Sequence, residues 1–218
     1  ERAIGEHGSR IALVLLPGVQ CRPGQVFDLK RIAALAHARG CMVGFDLAHS
    51  AGNVPVDLHD SGCDFAVWCS YKYLNAGPGA VAGCFVHERH AHTDRPRFAG
   101  WWGHDQTTRF KMGPHFSPTP GADGWQLSNP PILALAPLRV SLEIFHRAGL
   151  SRLREKSLAL TGHLETLVRR HLGGIIDIVT PPEPERRGCQ LSLRVKAGRD
   201  AGRALFDYLA DRGIVGDW

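Results

Sequence analysis

The chain has 218 residues, 44% hydrophobic and 22% charged, with 26 Lys+Arg against 21 Asp+Glu and a formal charge of +5. That is an ordinary globular balance with length for one full core and the start of a second, and no apolar run approaches the ~20 residues of a membrane span. The basic residues are scattered apart from short pairs such as Arg169-Arg170 and Arg186-Arg187, which argues against nucleic acid and for a surface that favours small anions.

Ile11–Leu16 is a continuous apolar run closed by Pro17-Gly18 and predicts a buried strand. Val26–Arg39 carries a helical stripe (Val26, Leu29, Ile32, Ala33, Leu35, Ala36), with Gly40 placed to end it. Cys41–Phe45 is the next strand, completing a βαβ unit and predicting a parallel sheet with a right-handed crossover. Phe65–Cys69 and Ala80–Val86 add two more strands, and the unbroken hydrophobicity of all four predicts cover on both faces. From Arg89 to Pro131 the periodicity stops among Gly, Pro, His and Trp. A stretch of that length is too long for a mere connector and reads as functional. Helices follow over Ile132–Arg147 and Ser151–His171, then short strands at Ile175–Val179 and Gln190–Val195, then a helix over Asp200–Arg212 ending at Gly213. The expected fold is α/β: a mostly parallel sheet with flanking helices over residues 1–150, then a linking helix and a truncated α+β C-terminal domain over 151–218. The six cysteines (Cys21, Cys41, Cys63, Cys69, Cys84, Cys189) form no CxxC pair, and four lie in or beside apolar runs. Reduced thiols and a cytoplasmic location fit better than a disulfide framework.

The chemistry concentrates at two strand ends. Asp46 closes the second strand, and Lys72 follows the third in Ser70-Tyr-Lys-Tyr-Leu-Asn-Ala-Gly-Pro-Gly79. In an open parallel sheet ligands bind beyond the carboxyl ends of the strands. An amine and a carboxylate there are the pair that pyridoxal phosphate requires, one to join its aldehyde and one to hold the proton on its ring nitrogen. Taken alone, the pair has an equally good structural explanation, with Asp46 capping the next helix and Lys72 solvated in a loop. The neighbours favour chemistry: Tyr71, Tyr73 and Ser70 suit phosphate binding and proton transfer, Gly77 and Gly79 allow close backbone approach, and His49 follows Asp46 by one turn. His87-Glu-Arg-His-Ala-His92 has the histidine density of a metal site but not the His-Glu-x-x-His spacing, and no metal is expected.

Several stretches resemble kynureninases, fold-type I pyridoxal-phosphate enzymes of the aspartate aminotransferase superfamily. They are Val43–Asn53, Asp64–Gly77, Phe85–His92, Gly100-Trp-Trp-Gly-His104, Thr108-Arg-Phe-Lys-Met112 and Leu127-Ser-Asn-Pro-Pro-Ile-Leu133. The resemblance implies pyridoxal 5'-phosphate as cofactor, Lys72 as the Schiff-base lysine and Asp46 as the ring-nitrogen partner. His49, Tyr71, Trp101 and Asn129 match positions that contact the cofactor, with Tyr71 and Trp101 on its phosphate side and Tyr71 also a proton donor. It implies hydrolysis of L-kynurenine or 3-hydroxy-L-kynurenine to anthranilate or 3-hydroxyanthranilate plus L-alanine, in tryptophan catabolism and NAD biosynthesis. It further implies a homodimer in which the Asn129 segment reaches across to select the substrate ring. Pro17 departs from the small hydroxyl residue of some members. The family's N-terminal third and the C-terminal arginine that grips the substrate carboxylate are expected outside these 218 residues. The other readings are a class V aminotransferase or cysteine-desulfurase-like enzyme, and a non-catalytic fragment that serves as a binding module.

Overall fold

A computed structural model describes all 218 residues, which form two compact units: Glu1–Gly18 with Phe27–Leu150, and Val19–Val26 with Ser151–Trp218.

The first unit is built on a four-stranded sheet in the order β1 (Leu13–Pro17), β2 (Met42–Asp46), β3 (Phe65–Trp68), β4 (Gly83–Val86). The first three strands are parallel and β4 returns antiparallel, with Trp68 opposite Gly83 and Phe65 opposite Val86. A short helix α1 (Arg2–His7) precedes the sheet, and α2 (Leu29–His37) makes the β1–β2 crossover. The helix α2 starts three residues later than its apolar stripe predicts. Asp28 caps it by accepting the Arg31 amide at 2.9 Å, and Val26 is held outside it in a bridge to Val19. Gly40 takes φ +77, the left-handed turn that returns the chain to β2. A one-turn helix α3 (Leu58–Ser61), not evident in the sequence, is capped by Asp57 and ended by Gly62 at φ +75.

Ile4, Ile32, Ala33 and Ala36 pack with Val14, Val43, Phe45 and Ala66 into one continuous core. That accounts for one sheet face. On the other, Leu13, Leu15, Val67 and Cys84 are exposed, so the expected cover on both faces is not provided within these 218 residues. Continuous apolar strands are what a doubly covered sheet requires, but they do not say which segment does the covering. Ala80–Val86 also yields a shorter strand than expected, Gly83–Val86, after a turn at residues 78–79 where Gly79 takes φ +76.

Beyond β4, residues 87–131 contain only 3-10 turns, at Glu88–His90, Arg109–Lys111 and Gly121–Trp125, and one bridge between His104 and Pro118. Then comes α4 (Ile132–Ala148), which opens after Pro130-Pro131 as expected and tolerates Pro137 in its interior.

In the second unit, α5 (starting at Leu150 and ending at Leu172) leads to the antiparallel pair β5 (Ile176–Ile178) and β6 (Leu193–Val195), followed by α6 (Arg199–Ala210). Residues 19–26 are tied in by a bridge from Gln25 to Arg187 and by the Gln190 amide, which donates to the Cys21 carbonyl at 2.7 Å. The guanidinium of Arg187 is buried and pairs with Glu165 at 2.5 Å. Burial alone would push the Glu165 carboxyl up, but Arg169 and Arg187 outweigh it and hold the group below the usual range. No helix is long and apolar enough to cross a membrane.

Candidate active site

The carboxyl ends of β2 and β3 carry the two predicted residues. After Asp46 the chain enters a tight turn: Leu47 donates its amide to the Val67 carbonyl (2.8 Å), Ser50 and Ala51 bond back to Leu47, and the Asn53 side chain donates to the His49 carbonyl (2.9 Å). This turn packs against the lysine turn at close range. A Cβ on Gly52 would lie 2.7 Å from the Tyr73 carbonyl oxygen, and Gly52 has φ +83, so glycine is required twice over. Gly18 is similarly crowded by Leu47 and Ser50, and its amide donates to the Asp46 carbonyl (2.9 Å).

Lys72 sits on a closed turn of its own. The Ser70 carbonyl accepts from Ala76 (3.0 Å), the Lys72 carbonyl accepts from Asn75 (2.9 Å), and Asn75 adopts φ +54. The buried Ser70 hydroxyl donates to the Val81 carbonyl at 2.6 Å. From α4, the buried Ser141 hydroxyl donates to the Leu74 carbonyl. Nothing in the sequence marks Ser141, 67 residues away, as a support of the lysine turn.

These turns bring Lys72 Nζ to 3.1 Å from His49 Nε2. Only one of the two nitrogens can hold the shared proton, so the contact couples an amine to a base that can take or return it. The Tyr73 ring meets His49 edge-on at 6.0 Å. One Asp46 oxygen accepts the Ala48 amide at 2.9 Å, the local capping role that a strand-end aspartate commonly fills, and the second oxygen accepts no hydrogen bond. Tyr71 is exposed at 53%.

Trp101 and Asn129 belong to the irregular layer, and no hydrogen bond or ring contact joins them to Lys72 or Asp46. Their two segments do meet each other. A Cβ on Gly100 would lie 2.3 Å from the Leu127 Cα, and one on Gly103 would lie 2.7 Å from the Gln126 carbonyl oxygen. The Trp101 ring stands edge-on to Phe110 at 5.3 Å.

At the opposite end of β3 lies a cluster the sequence did not reveal. Asp64, 3% exposed, accepts the Val43 amide at 2.7 Å and pairs with His37 at 2.9 Å and His90 at 2.7 Å. Burial pushes its carboxyl up, but the two histidines and the amide prevail and hold it below the usual range. His90 is thus committed to Asp64, while His87 stacks on His59 at 5.0 Å, and no group of three His, Cys, Asp or Glu side chains is arranged to hold a metal.

Residues 153–218 match the kynureninase C-terminal domain family. The whole chain is 65% identical over 216 residues to a protein named kynureninase from Xanthomonas oryzae pv. oryzae, covering 99% of this chain and 51% of that protein. It is 67% identical over 219 residues to a kynureninase of Stenotrophomonas maltophilia, with coverages of 100% and 52%. Over its whole length the chain is therefore similar to proteins named kynureninase. It spans about half the length of the curated kynureninases it matches. Among solved structures it resembles a cysteine desulfurase of Escherichia coli (TM-score 0.76, 17% identity, 98% of this chain and 50% of that one). It also resembles an alanine–glyoxylate aminotransferase of Nostoc sp. (TM-score 0.67, 24% identity, coverages 97% and 52%). At such identities these likenesses speak to fold alone: a mostly parallel sheet with flanking helices, shared with a desulfurase and an aminotransferase.

Proposed function

We propose that this chain is the lysine-bearing segment of a kynureninase, a pyridoxal-phosphate enzyme that hydrolyses the side chain of L-kynurenine or 3-hydroxy-L-kynurenine to L-alanine and the matching anthranilate. The observation that carries the reading is the Lys72–His49 contact of 3.1 Å at the carboxyl ends of parallel strands, in a chain similar to kynureninases from end to end. The residues suit the cofactor. Lys72 supplies an amine, Asp46 an oxygen without another partner, and Gly77 and Gly79 a backbone with open space where side chains would stand. When bound, the cofactor supplies an aldehyde for that amine and a ring that draws electrons from a substrate's Cα.

In this reading Asp46 would hold the cofactor's ring nitrogen and, as a carboxylate, would favour a proton there. The Lys72 amine would hold the cofactor's aldehyde carbon and would move the substrate's Cα proton, with His49 Nε2 able to accept or return a proton at Nζ. Tyr71 and Trp101 would hold the phosphate side, and Tyr71 would supply the proton that the substrate's Cβ needs, after anthranilate leaves, to become alanine. Asn129 contributes to recognition of the substrate ring. We further read the protein as a cytoplasmic homodimer with its site at the subunit interface; the absence of any CxxC pair among its six cysteines is in keeping with the location.

Pyridoxal phosphate added to the protein is expected to give an absorbance band at about 420 nm that Lys72→Ala lacks. A band that persists in Lys72→Ala removes Lys72 from its role. A full-length enzyme carrying this segment is expected to release fluorescent anthranilate from kynurenine. Release of sulfide from cysteine instead would favour a desulfurase.

A further inference from the structure

Arg109 has no part in the chemistry above, yet it is the most heavily engaged side chain of the irregular layer. One of its nitrogens donates to two carbonyls on either side of Gly103, those of Trp102 (2.8 Å) and His104 (2.9 Å). The same guanidinium lies 4.9 Å from the Trp102 ring centre and 5.8 Å from that of Trp101, and its Nε is buried with no hydrogen-bond partner. The backbone delivers it there: the Arg109 amide bonds to the Asp105 carbonyl (2.8 Å), and Phe110, the next residue, meets the Trp101 ring. On its other side the Gly100–Gly103 loop is pressed against Gln126 and Leu127, too closely for any side chain at either glycine.

Such a loop has almost no backbone ladder to hold an indole in place, so its direction is set by what flanks it. One terminal nitrogen bonds both carbonyls while the planar guanidinium lies beside two indoles, and a compact ammonium cannot offer that flat face to the rings. The neighbouring Arg97 shows the same device applied elsewhere: it donates to the Thr93 carbonyl (2.6 Å) and covers Trp125 at 4.3 Å, bracing the ends of the layer rather than Trp101.

We infer that Arg109 is a positioning residue that fixes the Trp101 indole, and through it the phosphate side of the site; this rests on the cofactor reading above. Arg109→Lys keeps the charge and removes the planar guanidinium. The five tryptophans give five indole N–H resonances, among which Trp101 is identified by its loss in Trp101→Ala. In Arg109→Lys the Trp101 and Trp102 resonances are expected to move while Trp68, in the sheet, stays. Pyridoxal-phosphate affinity is expected to fall about tenfold in Arg109→Lys, but by less than about twofold further when the change is made in Trp101→Ala. An unmoved Trp101 resonance overturns the inference, as does an equal shift at Trp68 or additive losses in the double variant. If the unsubstituted protein takes up no pyridoxal phosphate, the functional reading fails, and the resonances, which need no cofactor, still decide the role of Arg109.

Discussion

The two halves of the candidate site are held by different means. Asp46, His49 and Lys72 sit on turns that directly continue hydrogen-bonded strands, so the sheet fixes their backbone to within the tolerance of the ladder. Trp101 and Asn129 sit in a layer with little regular structure, held by glycine-to-backbone contacts and by arginines stacked on rings. The first arrangement gives precision to the groups proposed to exchange protons, where small displacements matter most. The second gives a surface whose shape depends on a few side chains and can be altered without disturbing the sheet.

Substitutions can sharpen that contrast. The largest effect is expected at Gly52, where alanine would meet the Tyr73 carbonyl and adopt an unfavourable φ. Gly52→Ala should cost about 3 kcal/mol in urea unfolding. A loss below about 1 kcal/mol would show that the lysine turn yields as easily as the loop layer.

Asp64→Ala comes next, at about 2–3 kcal/mol, since it removes a buried acceptor from two histidines and an amide. Its pH dependence has a definite sign. The folded carboxyl is held below its ordinary value, so its contribution is fully present above about pH 4 and is lost as pH falls toward the depressed folded value. Unfolding curves of the wild type and Asp64→Ala should therefore converge in acid, and parallel curves down to pH 2 would contradict this account.

The smallest effect is expected from Ser141→Ala, at about 1 kcal/mol, from one hydrogen bond to the Leu74 carbonyl. Its signature should be local, seen as faster amide exchange at Asn75 and Ala76 and none at Trp101.

The parts of this molecule legible in the sequence were those written in local pattern. Apolar runs marked β1 to β3, glycines marked the turns at 40 and 77–79, and the strand-end positions of Asp46 and Lys72 followed from counting along those runs. The direction of β4 was not legible, because hydrophobicity is the same whichever way a strand runs. The Asp64 cluster was hidden for another reason. Its histidines lie 27 residues before and 26 after it, and no periodicity links them. Arg109 was visible only as part of a motif, and its work depends on carbonyls and rings that the loop alone brings together.

The register also places Asp46 between Pro17 and Val67, on the same face as Leu13 and Leu15. A carboxylate therefore stands at the rim of an otherwise oily surface. Whatever closes over that surface displaces water from the rim, and a carboxylate with a single amide partner is costly in a medium of low permittivity. Closure thus carries a condition: the covering group must bring a hydrogen-bond donor or a positive charge to Asp46. A purely apolar cover would be disfavoured at Asp46.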